Sequence, residues 1–487
     1  MKKNRFRNFD SEVRDLVLLF ERTILKGQQQ FFDLDELEII IDYYLEVGDL
    51  KPLDEAVRYA DYLYPNSPQV AMRHAHQHIA HGRYQQAIDI LQKLYDQQPD
   101  NTDISYSLGV AYGAMGEPEK AIELYQEATS DGWMLGRVYS NIAEEYHRLG
   151  DLEQAISYYE TALFDDPNDD VTLYNYTDTC LAANQCEKAI NTLYDITQKD
   201  PYNYYAWYCL GLACSNNGNP CFSDGYRKAA DALQFSIDID KTFAPAYIEL
   251  AKIQEHLESP GAAVTTLLRS IEYADQEDYI YCLIGHIYMR ANNPETAVIY
   301  YTKALDINPT YSYALVFKAY NLLKLGNNRE AAADARKAFN IETSLAEERG
   351  NPDLADPEIL GKAAEILDQL GDFNTASEYY ERAITCFGCP ESVYHKYTRF
   401  LYKHEVYDLV IEFAEESLEM LPLDPFYSTY LAAACFRTNR YNRVRKLLLD
   451  VEPNAIRYIC PELSQHPLLG QYVPQPSPLP TVDPETW

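Results

Sequence analysis

Apolar residues recur along this chain three and four positions apart, in runs separated by short polar turns, which is the pattern of amphipathic helices. Every second run carries an Ala, aromatic, Ala spacing: Ala121, Tyr125, Ala128; Ala155, Tyr159, Ala162; Ala297, Tyr301, Ala304; Ala376, Tyr380, Ala383. Spacings of four and three put each trio on one helical face. Gly48, Gly82, Gly116 and Gly150 stand 34 residues apart, each between two such runs. A glycine just past a helix end reaches the left-handed conformation without a Cβ clash, so each marks a turn between two helices. The count continues through Asn184, Gly218, Asn292, Gly326, Gly371 and Asn439, and asparagine is the usual substitute at such a cap.

Aligned on these turns, the sequence divides into twelve units, starting near Leu34, Pro68, Thr102, Gly136, Asp170, Tyr204, Ala244, Asp278, Ser312, Pro357, Glu391 and Pro425. The eighth position is small in most, as at Ala75, Gly109, Ala143, Gly211, Ala251, Gly285, Ala319, Ala364 and Ala432, which lets two helices approach closely. Units commonly close on proline, at Pro65, Pro99, Pro167, Pro201, Pro309 and Pro422, where a helix must stop.

A 34-residue period with small residues at places eight, twenty and twenty-seven and a closing proline resembles the tetratricopeptide repeat. The resemblance covers roughly residues 34–452. It implies an all-α fold, a right-handed superhelical α-solenoid of about twelve antiparallel two-helix repeats. Residues 1–33 then read as an N-terminal capping helix, with Val13, Leu16, Val17 and Phe20 on one face. Repeats one to six occupy 34–243 with an insertion near 219–228, and repeats seven to nine occupy 244–356 with an insertion near 344–356. Repeats ten to twelve occupy 357–453, and 454–487 is a proline-rich tail expected to be extended. The first repeat is degenerate, with Ile41 and Leu53 where small residues are usual.

Composition adds limits. The 487-residue chain, 47% hydrophobic and 24% charged, is that of an ordinary folded protein. Its net charge of −34 argues against nucleic acid, whose affinity rests on lysine and arginine displacing counterions, and favours basic partners or serves solubility. The apolar run Leu16–Phe20 is too short for a signal-peptide core, and no stretch approaches the length that spans a bilayer. Membrane insertion is not expected, and a reducing, cytoplasmic location suits the ten scattered cysteines.

Few residues suggest chemistry. His74, His78 and His81 share a helical face and form a weak metal candidate, set against their reading as core residues. Cys386 and Cys389 make a lone CxxC, and Cys180 and Cys214 occupy equivalent core places in adjacent units. No P-loop, glycine-rich dinucleotide turn or nucleophile elbow is present, so no enzyme activity and no cofactor is expected.

The resemblance implies that the first helices line a concave groove, with positions two, five, six, nine and twelve facing it. Those positions hold Tyr106, Asn141, Tyr174, Asn175, Tyr205, Tyr208, Tyr279, His286, Tyr313, Phe317 and Tyr320. Tyrosine offers rigid apolar area with one hydroxyl, and asparagine pairs with both backbone groups of an extended peptide. The basic set that grips acidic chaperone tails is missing around Asn141 and Asn175, which neighbour Glu144 and Asp178. Lys362, His395, Lys396 and Arg399 form a basic spot further on. The expected function is a non-enzymatic scaffold or adaptor holding a peptide or protein segment. Two alternatives stay open: a self-associating structural scaffold that organises an assembly, and a regulatory subunit of a separate enzyme.

Overall fold

A computed structural model describes residues 11–26, 30–130, 132, 135–216, 225–257, 259–274, 276–420 and 424–475. The chain is all-α and divides into two compact units, the N-terminal unit ending at Leu257 and the C-terminal unit beginning after it. In the N-terminal unit, first helices start at Leu34, Pro68, Thr102, Leu135, Asp170, Tyr204 and Ala244. In the C-terminal unit they start at Glu277, Ser312, Pro357, Glu391 and Pro425. Each start lies within one residue of the position expected from the repeat register.

The turns close as the punctuation requires. Gly48, Gly82, Gly116, Gly150, Gly326 and Gly371 have positive φ, and so do Asn184, Asn292 and Asn439. At Gly150 the amide donates to the His147 carbonyl at 3.0 Å, and the Asp151 amide donates to the Tyr146 carbonyl at 3.0 Å, which satisfies two carbonyls of the last helical turn. The repeat register offered no cap for the eleventh repeat. There Glu405 takes the left-handed conformation, with φ 62, despite its side chain. Gly218 lies outside the described residues.

Packing within a repeat follows from the small eighth position. A Cβ built on Gly109 would stand 2.6 Å from the Tyr125 ring, and one on Gly285 would stand 2.8 Å from the Tyr301 ring. The Ala-Tyr-Ala faces of the second helices are buried throughout. In the degenerate first repeat, Ile41 and Leu53 are fully buried in one core with Val17 and Phe20 of the N-terminal helix Ser11–Lys26. That helix delivers Phe20, whose ring lies 5.8 Å from Phe32 and 5.9 Å from Tyr59. The next helix begins on a capping box in which the Glu36 amide donates to the Asp33 side chain and the Asp33 amide donates to Glu36.

The 344–356 insertion lengthens a helix rather than forming a free loop: the second helix of repeat nine runs 21 residues, Asn328–Glu348, and a 3-10 turn at Pro352–Leu354 follows. Most of the 219–228 insertion falls outside the described residues, and its last four residues open the helix Gly225–Ile239.

The region after Pro453 departs from the extended tail expected of it. Pro453 and Pro461 each sit in the first turn of a short helix, Pro453–Ile459 and Pro461–Gln465, where a missing N–H costs nothing. Ile456, Cys460 and Leu463 are fully buried, and Leu469 and Val473 nearly so, continuing the core of the last repeats. Burial of this kind stabilises by about 1.5–3 kcal/mol per large aliphatic side chain. The Tyr402 hydroxyl donates to the Ile459 carbonyl at 3.4 Å, and Arg437 pairs with Glu462 at 3.0 Å. Proline spacing suggested an extended chain, but the apolar residues between the prolines decide the matter. Residues 476–487 lie outside the described chain.

Candidate functional site

The groove positions fall into both units of the chain, and each set stands by itself. In the N-terminal unit, the Asn141 amide donates to the Tyr106 hydroxyl at 3.1 Å, linking first helices of consecutive repeats. In the following repeat Asn175 hydrogen-bonds the buried Tyr159 hydroxyl, which belongs to the second helix of the repeat before it. Tyr204, Tyr205 and Tyr208 surround Phe243, with ring centroids 5.1, 5.5 and 5.1 Å from it. Burial pushes the Tyr205 hydroxyl up to about 12. Tyr208 is only 9% exposed, whereas Tyr174 is 43% exposed.

In the C-terminal unit, His286 is 8% exposed and closed in by Tyr301, Tyr313 and Phe317, with its ring centroid 4.6 Å from that of Phe317. Tyr279 is 37% exposed. Thus Tyr208 and His286 contribute to packing, and Tyr174 and Tyr279 present free aromatic surface. Two recurrent stacked pairs, Tyr146 with Tyr158 and Tyr288 with Tyr300, lie on equivalent repeat positions at 5.4 and 5.5 Å. They account for four of the chain's 43 tyrosines, none of them at a groove position.

The basic spot is charge-matched. Lys362 lies 4.0 Å over the Tyr320 ring and 3.1 Å from Glu365, which also pairs with Lys396 at 3.2 Å. Burial works to raise the Glu365 carboxyl, but Lys362 and Lys396 outweigh it and hold Glu365 below the usual range. Beside this network lies a cavity of about 670 Å³ walled by Asp368, Arg399, Lys403, Tyr402, Tyr430 and Tyr458. Lys403 pairs with Asp368 at 2.8 Å. Burial pushes the Tyr430 hydroxyl up to about 12. Tyr458 comes from the folded C-terminal region, so reading that region as an extended tail hid this wall.

The three histidines of the metal candidate do not converge. His81 Nε2 lies 2.8 Å from Asp54, and His74 Nε2 lies 3.8 Å from Asp61. Among the described residues, the donor atoms of Glu391, His395 and Asp424 do come together, all within 4.8 Å of one another. A hydrogen bond with Asp424 raises the Glu391 carboxyl above its ordinary range. The sequence signal for two of these three was present, since Glu391 and His395 are four apart on one helix, but Asp424 arrives from the next repeat. The described cysteines are all free thiols, Cys386 and Cys389 included, and burial raises Cys209 and Cys282 to about 12. Among the described residues, no helix is long and apolar enough to cross a membrane.

Comparison with known proteins supplies the last observations. Residues 78–132 and 146–208 match one family model described as tetratricopeptide repeat, and residues 279–311 and 357–385 match two others of the same description. Human superkiller complex protein 3 is 23% identical over 349 residues, covering 69% of this chain and 19% of that protein. The chain therefore spans about a fifth of that relative's length. Among solved structures, MamA protein is 27% identical, covering 35% of this chain and 91% of its own, with a TM-score of 0.29. A tetratricopeptide repeat protein from Parabacteroides merdae is 17% identical, covering 52% of this chain and 98% of its own, with a TM-score of 0.36.

Proposed function

The chain is a tetratricopeptide-repeat protein, and from that premise we propose that it is a non-catalytic adaptor whose first helices hold a segment of another protein. Repeats of this family serve protein–protein interaction in general. The observation that carries the finer reading is the exposure of Tyr174 and Tyr279 on groove positions whose neighbours are otherwise packed. Such rings supply contact area at low entropic cost. The net charge of −34 steers basic segments toward the chain from a distance and lends little to affinity once they dock. A cytoplasmic location belongs to the same proposal.

The test is affinity capture of the full chain followed by direct binding of the recovered protein in purified form. Tyr174→Ala and Tyr279→Ala together should weaken that binding at least tenfold while the far-UV circular dichroism stays the same. Unchanged affinity in the double variant would remove the groove from the account.

A further inference from the structure

We propose that Glu391, His395 and Asp424 form a binding site for a divalent transition-metal ion, zinc foremost, that joins repeats eleven and twelve. Glu391 and His395 project from the same face of the helix Glu391–Lys403, four residues apart. Asp424 caps the helix Pro425–Arg437 of the following repeat. One Asp424 oxygen, Oδ1, accepts from the Phe426 amide at 2.7 Å, and Oδ2 is turned toward His395.

The spacing is that of a coordination shell. His395 Nε2 lies 3.4 Å from Glu391 Oε1 and 3.8 Å from Asp424 Oδ2. Zinc binds imidazole nitrogen and carboxylate oxygen at about 2.0–2.2 Å, so a tetrahedron of such bonds has edges of about 3.3–3.6 Å. Of the two His395 edges, one is within that range and the other needs a movement of a few tenths of an ångström, while the Glu391–Asp424 edge is within 4.8 Å. His395 Nε2 is itself buried and faces both carboxylates at ion-pair distance without a well-formed hydrogen bond to either. Its ring is held by stacking on Phe426 at 3.8 Å and by the edge of Tyr427 at 5.3 Å, so the donor is oriented before any ion arrives. Imidazole with two carboxylates is a donor set that suits zinc, and it leaves a fourth position for water. The Arg399 guanidinium, 5.9 Å from the Phe426 ring centroid, opposes a cation nearby, and the two carboxylates more than match its charge.

The test is calorimetric titration of zinc chloride alone into the full chain after chelator treatment, with cobalt(II) absorption reporting coordination geometry. The wild type should bind one more ion than Glu391→Gln and Asp424→Asn, or bind it at least tenfold more tightly. Asparagine at 424 keeps the helix cap, and Glu391 is exposed, so both variants are expected to fold. Should Asp424→Asn lose its native circular dichroism, Glu391→Gln decides alone. A variant with His74→Gln, His78→Gln and His81→Gln should keep the site. No binding by the wild type, or equal stoichiometry and affinity in Glu391→Gln, overturns the proposal.

Discussion

The Tyr301 hydroxyl lies 3.1 Å from Nδ1 of His286, inside the eighth repeat, where both residues are buried. Burial, reinforced by the positive charge of Arg290, pulls the His286 imidazole down to about 4. The folded state therefore holds this histidine neutral at a pH where the unfolded chain, with an ordinary value of 6.5, already binds a proton. Stability is fully present above 6.5 and is lost as pH falls from 6.5 to about 4, by up to about 3 kcal/mol for this group. His286→Phe, placed among aromatic neighbours, removes that loss. Urea denaturation should show the variant gaining on the wild type across this window, and a constant difference between them would refute the assignment.

Gly285 is needed for the same ring. Gly285→Ala puts a Cβ against the fully buried Tyr301, which has nowhere to move, and should cost about 1–3 kcal/mol. Gly261→Ala is the control, because nothing lies within 4 Å of its Cβ position. Comparable urea midpoints for the two variants would show that the close approach is unimportant.

Much of this was legible in the sequence, for a physical reason. A left-handed cap and a small helix-contact residue each restrict identity at one position, so repeat length, helix starts and the Gly285–Tyr301 contact all leave a residue-level trace. The insertion at 344–356 was legible as a lengthened spacing between units but not as a continued helix, because spacing alone does not distinguish a longer helix from a loop. The folded region after Pro453 was misread because proline is equally at home in the first turn of a helix and in an extended strand of chain. Groove positions were legible as register but not as exposure: Tyr208 and Tyr174 occupy first-helix positions of the same kind, and only the packing of Phe243 against Tyr208 separates them.

Glu405 offers a stabilising substitution. Its exposed side chain contributes no burial, while its left-handed backbone costs about 1–2 kcal/mol relative to a residue without a Cβ. Glu405→Gly should raise stability by about 1 kcal/mol, and thermal denaturation reads the change directly. A lower midpoint would mean that the added freedom of glycine in the unfolded chain outweighs the relief.

Glu145 is buried, and its charge is answered by Arg148 at 3.1 Å, which also donates to the Gly113 carbonyl at 2.9 Å. Burial pushes the Glu145 carboxyl up, and Arg148 opposes that rise. Arg148→Met removes the opposition, so the folded-state value climbs further and the folded chain is favoured as pH falls through it. The expected cost is about 1–3 kcal/mol at pH 8, discounted because Arg148 is nearly half exposed, and it should shrink toward pH 5. A cost independent of pH would point to lost packing alone.

Hydrogen exchange of the full chain, with and without its captured and purified binding protein, tests the binding account most directly. Added protection is expected in first helices, above all in Asp170–Ala182 and Glu277–Arg290, which carry Tyr174 and Tyr279, and little in the second helices that follow them. Protection confined to second helices, or to the folded region after Pro453, would contradict the claim that the first-helix face is where this protein binds.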